Sequence, residues 1–92
     1  MIHFLVHGAK DNVAVAVTDV GKGISGVCMN IETRNTFEVT SRMEIPLGHK
    51  IALTDLNVND TVFKYDNDIG RVVSPIKKGE HVHVHNVKTK RW

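Results

Sequence analysis

The segment Leu53-Thr54-Asp55-Leu56-Asn57-Val58-Asn59-Asp60-Thr61-Val62 runs from one apolar stretch, through an isolated apolar residue and a polar turn, into the next apolar stretch. The same order recurs in Val73-Ser74-Pro75-Ile76-Lys77-Lys78-Gly79-Glu80-His81-Val82 and in Val17-Thr18-Asp19-Val20-Gly21-Lys22-Gly23-Ile24. In each copy the isolated residue, such as Leu56, can anchor a loop to the core while the small polar or glycine residues reverse the chain. Three copies in 92 residues predict a fold of β-ribbons that double back on themselves.

The stretches between these turns are short and rich in valine and isoleucine, a composition typical of β-strands. No window of eleven or more residues keeps a 3.6-residue apolar period, so no long helix is expected. We therefore predict one compact all-β domain over residues 1–92. Its predicted strands are His3–His7, Asn12–Thr18, Ile24–Asn30, Thr36–Thr40, His49–Thr54, Thr61–Tyr65, Ile69–Ser74 and His81–Val87.

Composition narrows the class of function. The chain has 12 lysine and arginine and 10 aspartate and glutamate residues spread along its length, which argues against a nucleic-acid-binding surface. No apolar run approaches the ~20 residues that cross a bilayer, so no membrane segment is expected. The single cysteine, Cys28, is predicted to be a small buried side chain, and with no secretory signal a cytoplasmic location is expected. Lys88, Lys90 and Arg91 are predicted to form a solvated tail.

Three of the six histidines alternate with valines in Glu80-His81-Val82-His83-Val84-His85-Asn86. Side chains alternate between the two faces of a strand, so the three histidines would share one face and the two valines the other. The valine face is predicted to be buried, so Val84→Asp should unfold the domain.

The spacing of this row limits how it can bind a metal ion. Imidazoles two residues apart on a strand are ~6.6 Å apart and can converge on one ion, whereas the outer two are ~13 Å apart and cannot. His81 and His83 are the predicted ligands, and His83, able to pair with both neighbours, should matter most. A third ligand would come from elsewhere, such as His49 or a partner chain, because catalytic sites of this kind commonly use three protein ligands.

Five motifs resemble, in order and spacing, the N-terminal domain of the altronate and galactarate dehydratase family. They are Asp11-Asn12-Val13-Ala14-Val15-Ala16-Val17, Ile45-Pro46-Leu47-Gly48-His49-Lys50-Ile51-Ala52-Leu53, Val62-Phe63-Lys64-Tyr65, Ile69-Gly70 and Gly79-Glu80-His81-Val82-His83-Val84-His85-Asn86. The resemblance implies an SAF domain with a β-clip fold. In long family members this domain precedes a much larger catalytic region, so the chain is expected to act with a separate large catalytic subunit.

The family also includes two-subunit lyases that eliminate sulfite from (2R)-sulfolactate to leave pyruvate. His3-Phe4-Leu5-Val6-His7 and Lys88-Thr89-Lys90-Arg91-Trp92 are similar to the ends of their small subunit. The resemblance implies a lyase subunit, a small hydroxy-acid substrate and iron (Fe²⁺) in the assembled enzyme. The alternatives are a subunit of an altronate or galactarate dehydratase and a stand-alone carbohydrate-binding module. One loop departs from the family: Lys64-Tyr65-Asp66-Asn67-Asp68 stands where members usually carry Lys-Tyr-Gly.

Such an elimination needs a base for the proton next to the carboxylate, a positive charge for the carboxylate and often a metal ion. His49 and Lys50 are the candidates for the first two, because Pro46-Leu47-Gly48 predicts a tight turn that projects them from the start of a strand. Alternatively, Gly48 only shapes the turn and His49 bonds to backbone. His85 is predicted to bind substrate or partner by hydrogen bonds. Asn86 either binds a substrate carboxylate or closes the strand through a local backbone bond.

Overall fold

Nine short strands build the protein in the computed structural model, which describes residues 1–90. They are β1 Phe4–Val6, β2 Val13–Ala16, β3 Ser25–Asn30, β4 Thr36–Thr40, β5 Lys50–Ala52, β6 Thr61–Lys64, β7 Asn67–Val72, β8 His81–Val82 and β9 Val87–Lys88. No helix occurs in this part of the chain, so the all-β prediction is confirmed and none of it forms a membrane-spanning helix. Arg91 and Trp92, which end the predicted basic tail, lie outside the described residues.

The strands form two sheets, and the neighbouring strands β2 and β5 of the larger sheet lie as a wall between two cores. The larger sheet has the order β4-β3-β1-β2-β5-β8 and the smaller one β6-β7-β9. β2 and β5 are antiparallel neighbours, and alternate residues of each enter different cores. Ala14 and Ile51 belong to the first core, and Val13 and Ala52 to the second. Because side chains alternate along a strand, β2 and β5 are apolar on both faces.

Each core is small and made mostly of aliphatic side chains. The first contains Phe4, Val6, Ala14, Ala16, Val20, Cys28, Val39, Ile45 and Ile51. The second contains Val13, Ala52, Leu56, Val62, Val72, Ile76 and Val82. Cys28 is fully buried, and this burial raises the pKa of its thiol to about 12. The prediction of a small buried cysteine is therefore confirmed, because the thiol stays protonated and unreactive at neutral pH.

One type of turn connects the strands and occurs four times. In each copy a buried apolar anchor is followed three residues later by a residue with positive φ, namely Gly23, Gly48, Asn59 or Gly79. The N–H of that residue donates at 2.8–2.9 Å to the carbonyl of Ser41, Ala16, Val72 or Ala52, respectively. Three copies are those predicted from the sequence. The fourth, anchored by Ile45, is predicted only as a tight turn, because its Pro46-Leu47 pair is unlike Gly21-Lys22, Asn57-Val58 and Lys77-Lys78 in the other copies.

The four anchors form two pairs. Val20 and Ile45 exchange backbone hydrogen bonds of 2.9 and 2.8 Å, and Leu56 and Ile76 exchange bonds of 2.8 and 2.9 Å. Each pair is reinforced by an aspartate that precedes the first anchor and accepts an N–H from the partner turn at 2.8 Å. These bonds join Asp19 to Leu47 and Asp55 to Lys78. The two pairs are therefore built alike.

The loop that departs from the family pattern is a two-residue hairpin turn between β6 and β7. Tyr65 and Asp66 both have positive φ, 54° and 61°, as in the type I′ turn that favours Asn, Asp and Gly. Asp66 is held by tertiary bonds: its N–H donates to the Asp11 carboxylate at 2.8 Å, and its own carboxylate accepts the Lys10 N–H at 2.7 Å. These bonds offset the cost of a side chain where family members usually carry glycine.

The first seven predicted strands are confirmed, with ends that differ from the observed ends by at most two residues. The predicted strand His81–Val87 is wrong beyond Val82. The chain turns at residues 83–86 and resumes as β9, which pairs with β7 in the smaller sheet. The histidines therefore do not line one strand face, and Val84, predicted to be buried, is 67% exposed, whereas Val82 is fully buried.

Asn86 causes this turn. Its side-chain oxygen accepts the His83 N–H at 3.0 Å, and its amide nitrogen donates to the His81 carbonyl at 2.9 Å. Such local bonds compete with strand formation, and alternation of valine and histidine alone does not reveal them. Of the two roles predicted for Asn86, the structure contains the local backbone bond, and contact with a substrate carboxylate stays a prediction.

Two glycines test the repeated turn. Gly79 and Gly23 have similar φ values, +89° and +82°, but a methyl group on Gly79 would collide with the Thr40 carbonyl oxygen, whereas nothing lies within 4 Å of that position at Gly23. We predict that Gly23→Ala lowers the free energy of unfolding by ~1 kcal/mol through its backbone conformation, and Gly79→Ala by ~3 kcal/mol because overpacking adds to it. Urea unfolding measures both losses, and equal values would contradict the close approach.

Two valines test the corrected C-terminal turn, and the expectation for Val84→Asp is reversed. Val82→Asp should prevent folding, because it places an unpaired charge in the second core. Val84→Asp should leave the fold intact and change the free energy of unfolding by no more than ~0.5 kcal/mol, as for most exposed positions. Circular dichroism and urea unfolding of the two variants distinguish this turn from a continuous strand, for which both substitutions would be severe.

Candidate functional site

Three of the predicted site residues, His49, His81 and His83, form a cluster where β5 meets β8. The His49 and His83 rings are stacked with centroids 3.8 Å apart, and His49 Nδ1 lies 2.7 Å from His81 Nε2. One potential ligand nitrogen from each of the three residues lies within 4.8 Å of the others. We call these three residues the histidine cluster. It brings together the first predicted catalytic residue and both predicted metal ligands.

The repeated turn positions His49. Gly48 has a φ of +83°, and its N–H donates to the Ala16 carbonyl at 2.8 Å. The His49 N–H donates to Pro46 at 2.9 Å, so the predicted tight turn is confirmed. Within residues 1–90 the His49 ring bonds to the ring of His81 and not to backbone, and its functional role stays a prediction.

β8 and the turn after it position the other two histidines. His81 lies opposite Ile51 of β5, so their side chains share one face of the sheet. His83 is held by the Asn86 side chain described above. A second brace comes from Lys88, whose ammonium group donates to the Val84 carbonyl at 2.6 Å. The turn that carries His83 is therefore fixed by side-chain bonds at two places.

The pKa values of two imidazoles of the cluster, His81 and His83, are lowered. Burial, followed by the nearby His49, His85, His83 and Lys50, lowers the pKa of His81 to about 4. Burial and the neighbouring His49, Lys50 and His85 lower the pKa of His83 as well. Both rings are therefore uncharged at neutral pH, and a neutral imidazole can act as a metal ligand or as a base.

One polar atom of the cluster lacks a partner. His83 Nδ1 is shielded from solvent and makes no hydrogen bond within the described part of the chain. A buried polar atom without a partner is costly, and a metal ion bound by its lone pair would satisfy it. The unpaired nitrogen, the three neighbouring imidazoles and the lowered pKa values of His81 and His83 fit a metal ion that prefers nitrogen ligands, such as Zn²⁺ or Fe²⁺.

His85 lies beside the cluster at an exposed position. Its ring centroid is 5.1 Å from that of His81, although a straight strand would separate the two residues by ~13 Å. The sequence prediction that the outer histidines lie far apart is therefore wrong, because the chain turns between them. His81, 5.6 Å from His83 and 5.1 Å from His85, is the member that contacts both others, and the central place predicted for His83 belongs to His81.

Lys50, the second predicted catalytic residue, is half-buried at the first position of β5. Burial, and then the charge of Lys64, lowers the pKa of its ammonium group. Lys50 lines a cleft of about 210 Å³ together with Ile69, His83, Val84, Val87, Lys88 and Thr89. We call this the C-terminal cleft. A lysine at its wall can attract a carboxylate or sulfonate group.

Sequence reasoning missed two contributors to this region. Lys64 affects Lys50 from another sheet, and no local pattern relates two residues so far apart in the chain. Lys88 was assigned to a solvated tail, but it braces the turn at Val84. A larger cavity of about 300 Å³ lies at the turns of Val20 and Ile45, and neither histidine nor lysine lines it.

The low pKa of His81 predicts how the metal-free protein responds to acid. An unfolded histidine titrates near ~6.5, so between that pH and about 4 the unfolded state binds more protons than the folded state. The free energy of unfolding therefore carries no penalty from His81 above pH ~6.5, and it falls as the pH falls towards the folded pKa of His81. Urea unfolding of chelator-treated protein should show a decline between pH ~7 and ~5 that is weaker in His81→Gln. His7→Gln, at a partly exposed histidine, is the control. If the free energy of unfolding of His81→Gln falls with pH as much as that of the wild-type chain, the low pKa assigned to His81 is contradicted.

Comparison with known proteins identifies the family. Residues 2–90 match the family described as altronate/galactarate dehydratase SAF domain. The chain is 51% identical over 94 residues to the (2R)-sulfolactate sulfo-lyase subunit alpha of Chromohalobacter salexigens, a match that covers 99% of this chain and 98% of that protein. The corresponding subunit of Paracoccus pantotrophus is 47% identical over 66 residues, 72% of this chain and 98% of that protein. The altronate dehydratase of Escherichia coli is 40% identical over 89 residues, 97% of this chain but 17% of that protein. The chain therefore belongs to the altronate/galactarate dehydratase SAF domain family.

Proposed function

We propose that this chain is the small subunit of a two-component lyase that eliminates sulfite from (2R)-sulfolactate to give pyruvate. The observation that carries the proposal is the match at 51% identity over nearly the full length of both proteins to a relative named as the alpha subunit of that enzyme. The altronate dehydratases match at lower identity and are several times longer. The higher identity to relatives named as alpha subunits supports the sulfo-lyase role over a dehydratase role.

The proposed reaction removes the C2 proton and releases sulfite from C3. The resulting enol becomes pyruvate when C3 takes up a proton. An imidazole of the histidine cluster is suited to accept the C2 proton, and His49 is our candidate, because His81 already holds one of its ring nitrogens. Lys50, at the wall of the C-terminal cleft, is the candidate that holds the substrate carboxylate.

His81 and His83 are the proposed ligands of the metal ion, which we propose to be Fe²⁺ in the assembled enzyme. When bound, the ion would supply Lewis-acid stabilisation of the enolate oxygens. His49 has one of two roles, third ligand or base, and metal content distinguishes them. His85, exposed beside His81, is the proposed hydrogen-bond donor to the sulfonate or to the partner subunit.

The large catalytic subunit is the proposed partner. The structure offers a shallow cleft and a surface cluster in place of a deep apolar pocket, and water exclusion is a general requirement for such chemistry. We therefore propose that the chain alone has no lyase activity. An altronate or galactarate dehydratase subunit is the second candidate, favoured by the 40% identity to the Escherichia coli enzyme.

Co-expression with the large subunit tests the proposed function directly. We expect release of sulfite and pyruvate from (2R)-sulfolactate by the assembled pair, no turnover of altronate or galactarate, and no turnover by either chain alone. Turnover of a sugar acid instead would establish the second candidate. Binding of carbohydrate by this chain, with no association between the two chains, would establish a stand-alone binding module.

Single histidine variants test the assignment of roles. His81→Ala and His83→Ala should lower the metal content of the assembled enzyme and reduce kcat by at least ~100-fold, because a lost ligand or base typically costs this much. His49→Ala should abolish activity while metal is retained if His49 is the base, and should lose metal if it is a ligand. His7→Ala, on an exposed histidine outside the cluster, is the control. Full activity and metal content in all three cluster variants would refute the site.

A further inference from the structure

Two strongly exposed aliphatic side chains lie close in sequence to members of the histidine cluster. Val84 is 67% exposed and directly follows His83, and Leu47 is 62% exposed and lies two residues before His49. Among the described residues only Met1 exceeds them among large apolar side chains. Single exposed apolar residues are ordinary, but these two adjoin members of the same cluster in the chain, and Val84 also lines the C-terminal cleft beside His83.

The backbone around both side chains is held by specific bonds. The Val84 carbonyl accepts the Lys88 ammonium at 2.6 Å, and the Asn86 side chain closes the same turn. The Leu47 N–H donates to the Asp19 carboxylate at 2.8 Å. A rigid apolar side chain loses little conformational entropy when a partner covers it, which is the condition for an efficient contact.

The end of the matched region lies next to the same site. In the Escherichia coli altronate dehydratase the region that corresponds to this chain is 17% of the protein, at its N-terminal end. Residues 87–89, close to the end of the match, line the C-terminal cleft together with Lys50 and His83. In a fused relative the rest of the chain therefore begins beside the histidine cluster.

We propose that Leu47 and Val84 are the apolar contacts through which this chain docks onto the large catalytic subunit, so that the histidine cluster lies inside the interface. The proposal rests on the proposed function and adds to it the surface that the large subunit covers. The large subunit would carry apolar pockets for these two side chains. Burial of Leu47 and Val84 by the large subunit would exclude water from the neighbouring imidazoles of His49 and His83.

Introduction of a negative charge at the two contacts tests the docking surface. We expect Val84→Glu and Leu47→Glu each to raise the dissociation constant of the two subunits by at least ~10-fold. Biolayer interferometry with purified large subunit measures this change. Both variants should keep the circular dichroism spectrum of the wild-type chain, because neither side chain is buried in the free chain. Val84→Ala provides a milder variant that cannot perturb folding through charge.

Phe37→Glu is the matched control. Phe37 is 43% exposed on β4, which is separated from β5 by β3, β1 and β2 in the larger sheet. The Phe37→Glu variant should bind the large subunit as tightly as the wild-type chain does. Unchanged affinity in Val84→Glu and Leu47→Glu, with association of the wild-type chain intact, overturns the docking surface alone. No association of the wild-type chain with the large subunit overturns the proposed function, and the docking surface with it.

Discussion

The paired anchor turns constrain the rest of the structure. Each pair joins two connections that are distant in sequence: the Val20–Ile45 pair links the connection β2–β3 to β4–β5, and the Leu56–Ile76 pair links β5–β6 to β7–β8. β5 lies between Ile45 and Leu56, so it is held at both ends by different pairs. A three-residue strand could not be positioned by its own ladder bonds alone, and its apolar faces divide the two cores.

The histidine cluster depends on the same turns. His49 directly follows Gly48, and His81 comes two residues after Gly79. Each histidine therefore lies just after the positive-φ glycine of one copy of the repeated turn. The two turns belong to different pairs, and the pairing of β5 with β8 brings their histidines together. The site is thus assembled by the turns that build the fold, and no separate loop is needed to carry it. The lowered pKa values of His81 and His83 follow first from burial and then from this crowding, because neighbouring rings disfavour a further charge.

Much of this arrangement could be predicted from the sequence, and the failures have physical causes. Valine-rich runs and glycine-containing turns identified seven strands, since both signals are local. The sequence predicts the tight turn at Pro46-Leu47-Gly48 but not its likeness to the other three copies, because the residues after its anchor differ from theirs. The C-terminal strand was overextended because the Asn86 amide outcompetes the strand ladder, a choice that alternation of side chains does not encode. The approach of His49 to His81 depends on strand pairing across 32 positions, so the sequence named these residues without their geometry.

The position of residues 87–89 at the C-terminal cleft has a consequence for how the two forms of this family differ. In the Escherichia coli altronate dehydratase the matched region is 17% of the protein, so it is covalently tied to the rest of that chain, and a short flexible tether gives an effective concentration in the millimolar range. A separate small subunit lacks that tether and meets its partner only at the concentration of free protein in the cell. In the proposed two-component enzyme, assembly would therefore depend on the affinity of the two subunits for each other.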